Sequence, residues 1–224
     1  MALRPVTGVG GGCPHRASYH APMLDLASIR RRLDETRPAA FTTTEHTRQA
    51  AVAVVLREPL DGSKADAEVL FIQRAKRPGD PWSGHMAFPG GHLDPTDADL
   101  CAAAVRETQE EIGLDISNAP VLGQLNPQRP QAVRRDMVVA PFVFAIEGDP
   151  SFSLNYEVAE AVWTPLAPMH RGDNHTIERR PVSTGAMGFN GFRLAGGHFV
   201  WGMTYRMVQT FFATIDSDYQ PVPE

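Results

Sequence analysis

Arg106-Glu107-Thr108-Gln109-Glu110-Glu111-Ile112-Gly113 places three carboxylates and one arginine close together and then stops at a glycine. On a helix, residues three and four apart share a face. At about 100° per residue, Glu107, Glu110 and Glu111 fall within an arc of about 100°. Cys101, Val105, Thr108 and Ile112 lie on a neighbouring arc and read as the stripe that packs on a core. One edge of the helix is thus expected to pack, while the next presents three negative charges to one small volume. Such crowding is unfavourable unless cations fill it. Carboxylate oxygens are hard ligands and suit Mg²⁺ or Mn²⁺ far better than Zn²⁺. Arg106, one turn before Glu110, is placed to orient the cluster and to neutralise part of it.

An acidic run of this kind is, alone, most often a solvated helix face. Its neighbours point elsewhere. Phe88-Pro89-Gly90-Gly91 supplies a turn whose bare backbone can approach a ligand or a metal. Asp94 and Asp97 follow as expected turn and N-cap residues, with acidic side chains suited to a helix start. Gly113 then ends the helix as a C′ glycine does. Loop, helix and loop form one module with charge at its centre.

This stretch resembles the Nudix hydrolase signature, in which a glycine, an acidic residue and then Arg-Glu-apolar-x-Glu-Glu-x-Gly-apolar recur at fixed spacing. Arg106 through Leu114 matches it, apart from Thr108 at a position usually aliphatic. Upstream, the first acidic position is Asp97 rather than glutamate, and the run from Gly91 to Arg106 is one residue longer than the common spacing. The coenzyme A pyrophosphatase branch of that family is similar in both respects, with a Pro-Gly-Gly-x-x-Asp-x-x-Asp run ahead of the helix. The resemblance implies an α/β fold, a Nudix-type α/β/α sandwich around a mixed β-sheet, with the signature helix against one end. It also implies hydrolysis of the pyrophosphate bond of a nucleoside diphosphate linked to another group. Mg²⁺ or Mn²⁺ would then be held by Glu107, Glu110, Glu111 and a backbone carbonyl of the Gly90-Gly91 turn, and would grip the diphosphate and acidify a water. Glu111 is the first choice of general base, with Glu110 and Arg106 completing the catalytic set. Glu157 is the second choice. With Glu160, it precedes Ala161-Val162-Trp163-Thr164-Pro165-Leu166, which resembles the family segment where a glutamate introduces a strand ending in a Pro-Leu turn.

The substrate is read from residues outside the signature. Phe71-Ile72-Gln73-Arg74-Ala75, Gly84-x-x-x-Phe88-Pro89-Gly90-Gly91 and Val200-Trp201-Gly202-Met203-Thr204 resemble segments of the coenzyme A branch. Asp80 stands where that branch carries arginine, and Arg77 lies three residues earlier. Arg74, Arg77, Arg129, Arg134 and Arg135 are the cations available to a diphosphate, since arginine pairs in bidentate fashion with phosphate oxygens. Arg74 ranks first because it ends a strand just before the signature loop, whose Gly90 backbone is also expected to face the substrate. His85 and His92 flank that loop, and Trp201 reads as a core anchor. Coenzyme A or a derivative is the favoured substrate. ADP-ribose or a nucleoside diphosphate sugar is the alternative, and non-catalytic nucleotide binding is a reading of another class.

The rest of the chain agrees with one enzyme domain. A formal charge of −5 offers no basic surface for nucleic acid, and 42% apolar residues allow a substantial core in a chain of 224 residues. Cys13 and Cys101 are too few for a disulfide framework and suit a reducing cytoplasm. No apolar run reaches membrane-spanning length. A small-molecule nucleotide is therefore the expected partner, without nucleic acid or membrane, and homodimer formation stays open. Residues 1–22, rich in glycine, read as a flexible tail, and residues 23–220 as a single domain with the signature at 91–114.

Hydrophobic patterning predicts a helix over Leu24 to Arg37, docked through Leu24, Ile29 and Leu33, with Arg30 to Arg32 on its solvated face. Strands are expected at Arg48–Arg57, Ala67–Arg74, Val121–Leu125, Met137–Ile146, Ala161–Thr164, Arg179–Val182 and His198–Val200. A helix is expected to begin near Pro165. The last helix should span Trp201–Ile215 and pack through Met203, Met207 and Phe211.

Overall fold

The computed structural model describes residues 24–61, 66–80, 82–131, 136–182 and 185–221. The expected tail, Cys13, and Arg134 and Arg135 lie outside them.

The strand β1 (Arg48–Arg57) explains the architecture, because its run Ala51 to Leu56 has no polar face. Successive side chains of a strand point to opposite faces, so an unbroken apolar run needs cover on both. Ala50, Val54 and Leu56 enter one apolar cluster, while Ala51, Ala53 and Val55 enter another. The same split runs through β2 (Glu68–Arg74), where Val69 and Phe71 face one way and Leu70 and Ile72 the other. It recurs in β6 (Met137–Ile146), with Val139 and Val143 opposite Phe142 and Phe144.

β1 is central. It pairs in parallel with β6 from Arg48↔Met137 to Arg57↔Ile146, and antiparallel with β2 at Leu56↔Val69. Two short strands, β3 (Met86–Ala87) and β4 (Gly90–His92), flank the signature loop. β3 pairs with β2, and β4 with the first half of β1 at Ala51↔Gly91. β5 (Val121–Gln124) borders β6, and β7 (Val158–Pro165) runs antiparallel to β2. The result is a mixed seven-stranded sheet.

Helices cover both faces. α1 (Leu26–Asp34) starts at Asp25, whose carboxylate accepts the Ser28 N–H at 2.9 Å, and buries Leu24, Ile29 and Leu33 with the large cluster. α4 (Gly202–Ile215) joins that face through Met207, Val208, Phe211 and Phe212. On the opposite face lies α2 (Leu100–Ile112), the signature helix. This is the expected α/β/α sandwich. α3 (Leu166–His170) follows β7 directly, as the Pro-Leu turn suggested. A second antiparallel sheet comprises β8 (His175–Val182), β9 (Gly185–Arg193) and β10 (Phe199–Trp201), and packs against α4. Sequence patterning caught only the end of β8 and missed β9, β3 and β4.

Two local expectations about α2 are corrected. Its N-cap is Asp99, whose carboxylate accepts the Ala102 N–H at 2.8 Å, and not Asp97. Its packing face is turned from the expected stripe. Thr108 and Ile112 are buried as expected, but Cys101 and Val105 are half-buried, and Ala103, Ala104 and Glu111 are buried instead. The two alanines let the helix lie close to β1, and Thr108 satisfies its hydroxyl on the Ala104 carbonyl at 2.7 Å.

Candidate active site

The close approach of α2 to β1 and β4 builds the site. Gly90 has φ +149°, and a Cβ there would lie 2.2 Å from the Ala51 carbonyl oxygen, so only glycine fits. A Cβ on Gly91 would lie 2.4 to 2.6 Å from the carboxylate atoms of Glu107. The bare Gly91 backbone is therefore the wall on which Glu107 rests. Next to it the Gly90 N–H donates to Glu111 Oε2 at 2.9 Å.

The three glutamates occupy different depths. Glu111 is 4% exposed, Glu107 is half-buried, and Glu110 is exposed. Burial pushes the Glu111 carboxyl up to about 7; the Glu107 and Glu157 charges add to this, while the Gly90 N–H and Arg74 oppose it. Burial also raises Glu107, with Glu110 and Glu157 contributing and Arg106 opposing. Glu107, Glu111 and Glu157 thus share one electrostatic neighbourhood. Glu110 is the exposed member of the set, although its charge still acts on Glu107. It stands about 100° round the helix from Glu111 and reaches Arg106 Nη1 at 3.1 Å.

Arg106 is the organiser. It forks onto Asp97 at 2.9 and 3.0 Å, donates to the His92 carbonyl at 3.0 Å, and touches Glu107 Oε1 at 3.0 Å. The Asp97 carboxylate, followed by its other partners, holds Arg106 protonated more firmly than an ordinary arginine. In return Arg106 draws Asp97 below the usual carboxylate range. The arginine ties the signature loop to the middle of α2, a link that helix geometry alone does not reveal.

Among the described residues, no three His, Cys, Asp or Glu side chains are gathered so as to hold a metal ion as they stand. Arg106 occupies Glu107 and Glu110, and the Gly90 N–H occupies Glu111. The donor chemistry still fits a hard divalent cation. The oxygens are carboxylates beside bare backbone, and two of them resist ionisation because of burial and neighbouring negative charge.

The arginines divide into two groups. Arg74, at the end of β2, pairs with Asp80 at 3.0 Å and interacts with Glu111. Arg77 pairs with Glu157 at 3.2 Å and lies over the Tyr156 ring at 4.5 Å. The Ala75 N–H donates to the Glu157 carbonyl at 2.7 Å, which fastens the end of β2 to the residue before β7. Arg74, Arg77 and Glu157 are therefore brought to the acidic cluster. Arg129 is not. Its neighbour Gln128 bridges Val139, which pairs with Ala50, which pairs with His92. Three strand spacings put that connection about 14 Å from β4. Arg129 donates to the Thr42 carbonyl at 2.8 Å, and Arg206 of α4 holds its backbone at 2.8 Å.

Trp201 is not a core anchor but the half-buried end of β10. Its ring meets His85 at 4.6 Å and Phe189 at 4.7 Å, and Arg180 lies over it at 4.8 Å. Arg180 and Phe189 escaped sequence reading, although the cross-strand register of β8 and β9 places them on one face of the second sheet.

Residues 47–184 match the NUDIX domain model, and this chain belongs to the Nudix hydrolase family. It is 30% identical over 190 residues to Nudix hydrolase NudL of Escherichia coli, spanning 83% of this chain and 92% of that protein. It is also 30% identical over 195 residues to NudL of Shigella sonnei, spanning 85% and 94%. Among solved structures, a MutT/nudix family protein from Enterococcus faecalis superposes with a TM-score of 0.51 at 18% identity, covering 84% of this chain and 68% of that one. That likeness supports the fold. Hydrolases of this family act on small nucleotide substrates and generally use divalent metal cations. No helix among the described residues is long and apolar enough to cross a membrane.

Proposed function

We propose that this enzyme hydrolyses the pyrophosphate bond of coenzyme A or a derivative, giving 3′,5′-ADP and 4′-phosphopantetheine. One observation carries the substrate choice. Two of the three stretches that resemble the coenzyme A branch, Gly84 to Gly91 and Val200 to Thr204, pack against each other beside the acidic cluster. The Thr204 hydroxyl donates to the Met86 carbonyl at 3.1 Å, and His85 meets Trp201. Asp80, the residue that argues against this substrate, is not a bare charge. Burial works against it, but the Trp82 N–H and Arg74 hold its carboxyl below the usual range, so it serves as the counterion of Arg74.

Glu107, Glu110, Glu111 and the Gly91 carbonyl are the groups that would hold Mg²⁺ or Mn²⁺. When bound, the cation supplies charge neutralisation for the diphosphate oxygens and lowers the pKa of water. The chain supplies the rest. Arg106 fixes the separation between the signature loop and α2. Glu111, the most buried of the carboxylates, takes the proton of the attacking water, with Glu157 as the second candidate. Arg74 and Arg77 meet the diphosphate once they exchange their carboxylate partners for phosphate oxygens.

A substrate panel with Mg²⁺ and Mn²⁺, with products identified by mass, tests the reading. Coenzyme A should be cleaved to the two stated products, and EDTA should abolish turnover. Replacement of Glu110 by Gln should lower kcat by at least about 100-fold. Good turnover of ADP-ribose or a sugar nucleotide with coenzyme A untouched would overturn the substrate assignment.

A further inference from the structure

The second sheet carries a cationic feature that the hydrolytic site does not use. In β8 and β9, cross-strand partners share a face, and Glu178↔Phe189 and Arg180↔Met187 alternate with Arg179↔Gly188. β10 adds to the same array through Trp201↔Gly191 and Phe199↔Arg193. A Cβ on Gly191 would lie 2.6 Å from the Phe199 ring, so that glycine makes room for the ring to lie across β9. Phe199 and Trp201 together form a platform, and the Arg180 guanidinium carbon sits 5.2 Å and 4.8 Å from their ring centres. Cation–π contact of this kind holds an arginine in place without consuming its hydrogen-bond donors.

Those donors are under-used. Arg180 Nη2 donates to Glu178 at 3.2 Å, but Glu178 is also bonded by Arg193. Arg180 Nε is buried and has no hydrogen-bond partner among the described residues, and the same is true of Arg74 Nε. Arg180 and Arg193 thus share one carboxylate, Glu178, so two guanidinium groups of the second sheet are paired with a single negative charge. His85 feels the charges of both Arg180 and Arg74 and meets the same Trp201 ring; burial and then Arg180 disfavour its protonation, while Asp80 opposes this. A buried donor without a partner is costly, and an arginine fork matches phosphate geometry. The feature also adjoins the catalytic cluster, since Arg74 interacts with both Glu111 and His85.

We propose that Arg180, seated on Trp201 and Phe199, binds a phosphomonoester carried by the nucleotide in addition to its diphosphate. The site rests on the reading that the substrate is a nucleotide, and it makes the β8–β9 hairpin the element that selects 3′-phosphorylated nucleosides. An incoming dianion satisfies the buried Arg180 Nε–H and balances the guanidinium that Glu178 shares with Arg193.

Calorimetric titration of adenosine 3′,5′-bisphosphate and of 5′-AMP, with Mg²⁺ present, tests this in the wild type and in the Arg180→Gln and Arg180→Lys variants. The wild type should prefer the bisphosphate by about 10-fold or more, the scale of one hydrogen bond to a charged group. Arg180→Gln should erase that preference while keeping its affinity for 5′-AMP, and Arg180→Lys should keep part of it. Equal wild-type affinities, a preference that survives Arg180→Gln, or equal weakening of both nucleotides would each overturn the site. The parent reading fails separately. A bisphosphate preference without coenzyme A cleavage removes that substrate and leaves the anion site standing, whereas cleavage of coenzyme A and its 3′-dephospho form at equal kcat/KM removes the site alone.

Discussion

Replacing Glu111 by Gln should stabilise the metal-free protein while it destroys activity, and the gain should depend on pH. Glu111 is 4% exposed and its carboxyl is pushed up to about 7, against an ordinary value of 4.5. The unfolded chain ionises this residue near the ordinary value, whereas the folded chain keeps the proton until pH is near 7. Stability therefore falls as pH rises from about 4.5 to about 7, and remains lower above that window. A shift of this size corresponds to about 3 kcal/mol. Gln keeps the volume and the oxygen that accepts the Gly90 N–H, but never carries the charge. In a chelating buffer at about pH 8.5, the variant should melt roughly 6 to 12 °C above the wild type, on the usual scale for a domain of this length. At about pH 4.5 the two should melt together. Thermal unfolding by circular dichroism across that range measures the effect. A difference independent of pH, or a variant less stable at both ends, would refute the assignment of Glu111 as a buried carboxylate in conflict with its surroundings. Saturating Mg²⁺ should raise the wild-type melting temperature at high pH and leave the variant nearly unmoved.

Three further outcomes follow from the same geometry. Arg106→Lys breaks the fork on Asp97, so kcat should fall by about 10-fold or more with KM little changed, and a pure KM effect in steady-state kinetics would instead place Arg106 on the substrate. Gly91→Ala pushes a methyl group into the Glu107 carboxylate, so turnover should drop by about 10-fold or more with the circular dichroism spectrum retained, and near-normal turnover would free Glu107 from its assigned role. Asp99→Ala removes the cap of α2 and should cost about 1 kcal/mol in denaturant unfolding, whereas the same change at a mere turn residue would cost little.

The strands with cover on both faces were legible because their residues report it. Arg48 to Arg57 and Met137 to Ile146 are observed with the bounds that patterning gives. β9 was not legible. Gly185-Ala-Met-Gly-Phe-Asn-Gly-Phe-Arg alternates weakly, carries three glycines and leaves most of its length exposed, so its strand state comes from pairing with β8. β3 and β4 are too short to carry any period and exist because β2 and β1 offer them an edge.

At the site, residue identity was legible and depth was not. A helical wheel sets Glu107, Glu110 and Glu111 on one arc, but it cannot say that the crevice against β1 and β4 swallows Glu111 and leaves Glu110 to solvent. That difference is chemically decisive, because a proton acceptor useful near neutral pH needs a carboxyl moved toward 7, and only burial with like charges beside it does that here. Asp97 and Asp99 make the same point from the other side. Either aspartate fits an N-cap by local rules. The choice was made by Arg106, which lies nine residues beyond Asp97 and takes both of its oxygens, leaving Asp99 to cap the helix. The signature's first acidic residue is thus bound to its arginine by tertiary geometry, and a substitution at Asp97 should act through the position of Arg106 rather than through the helix end.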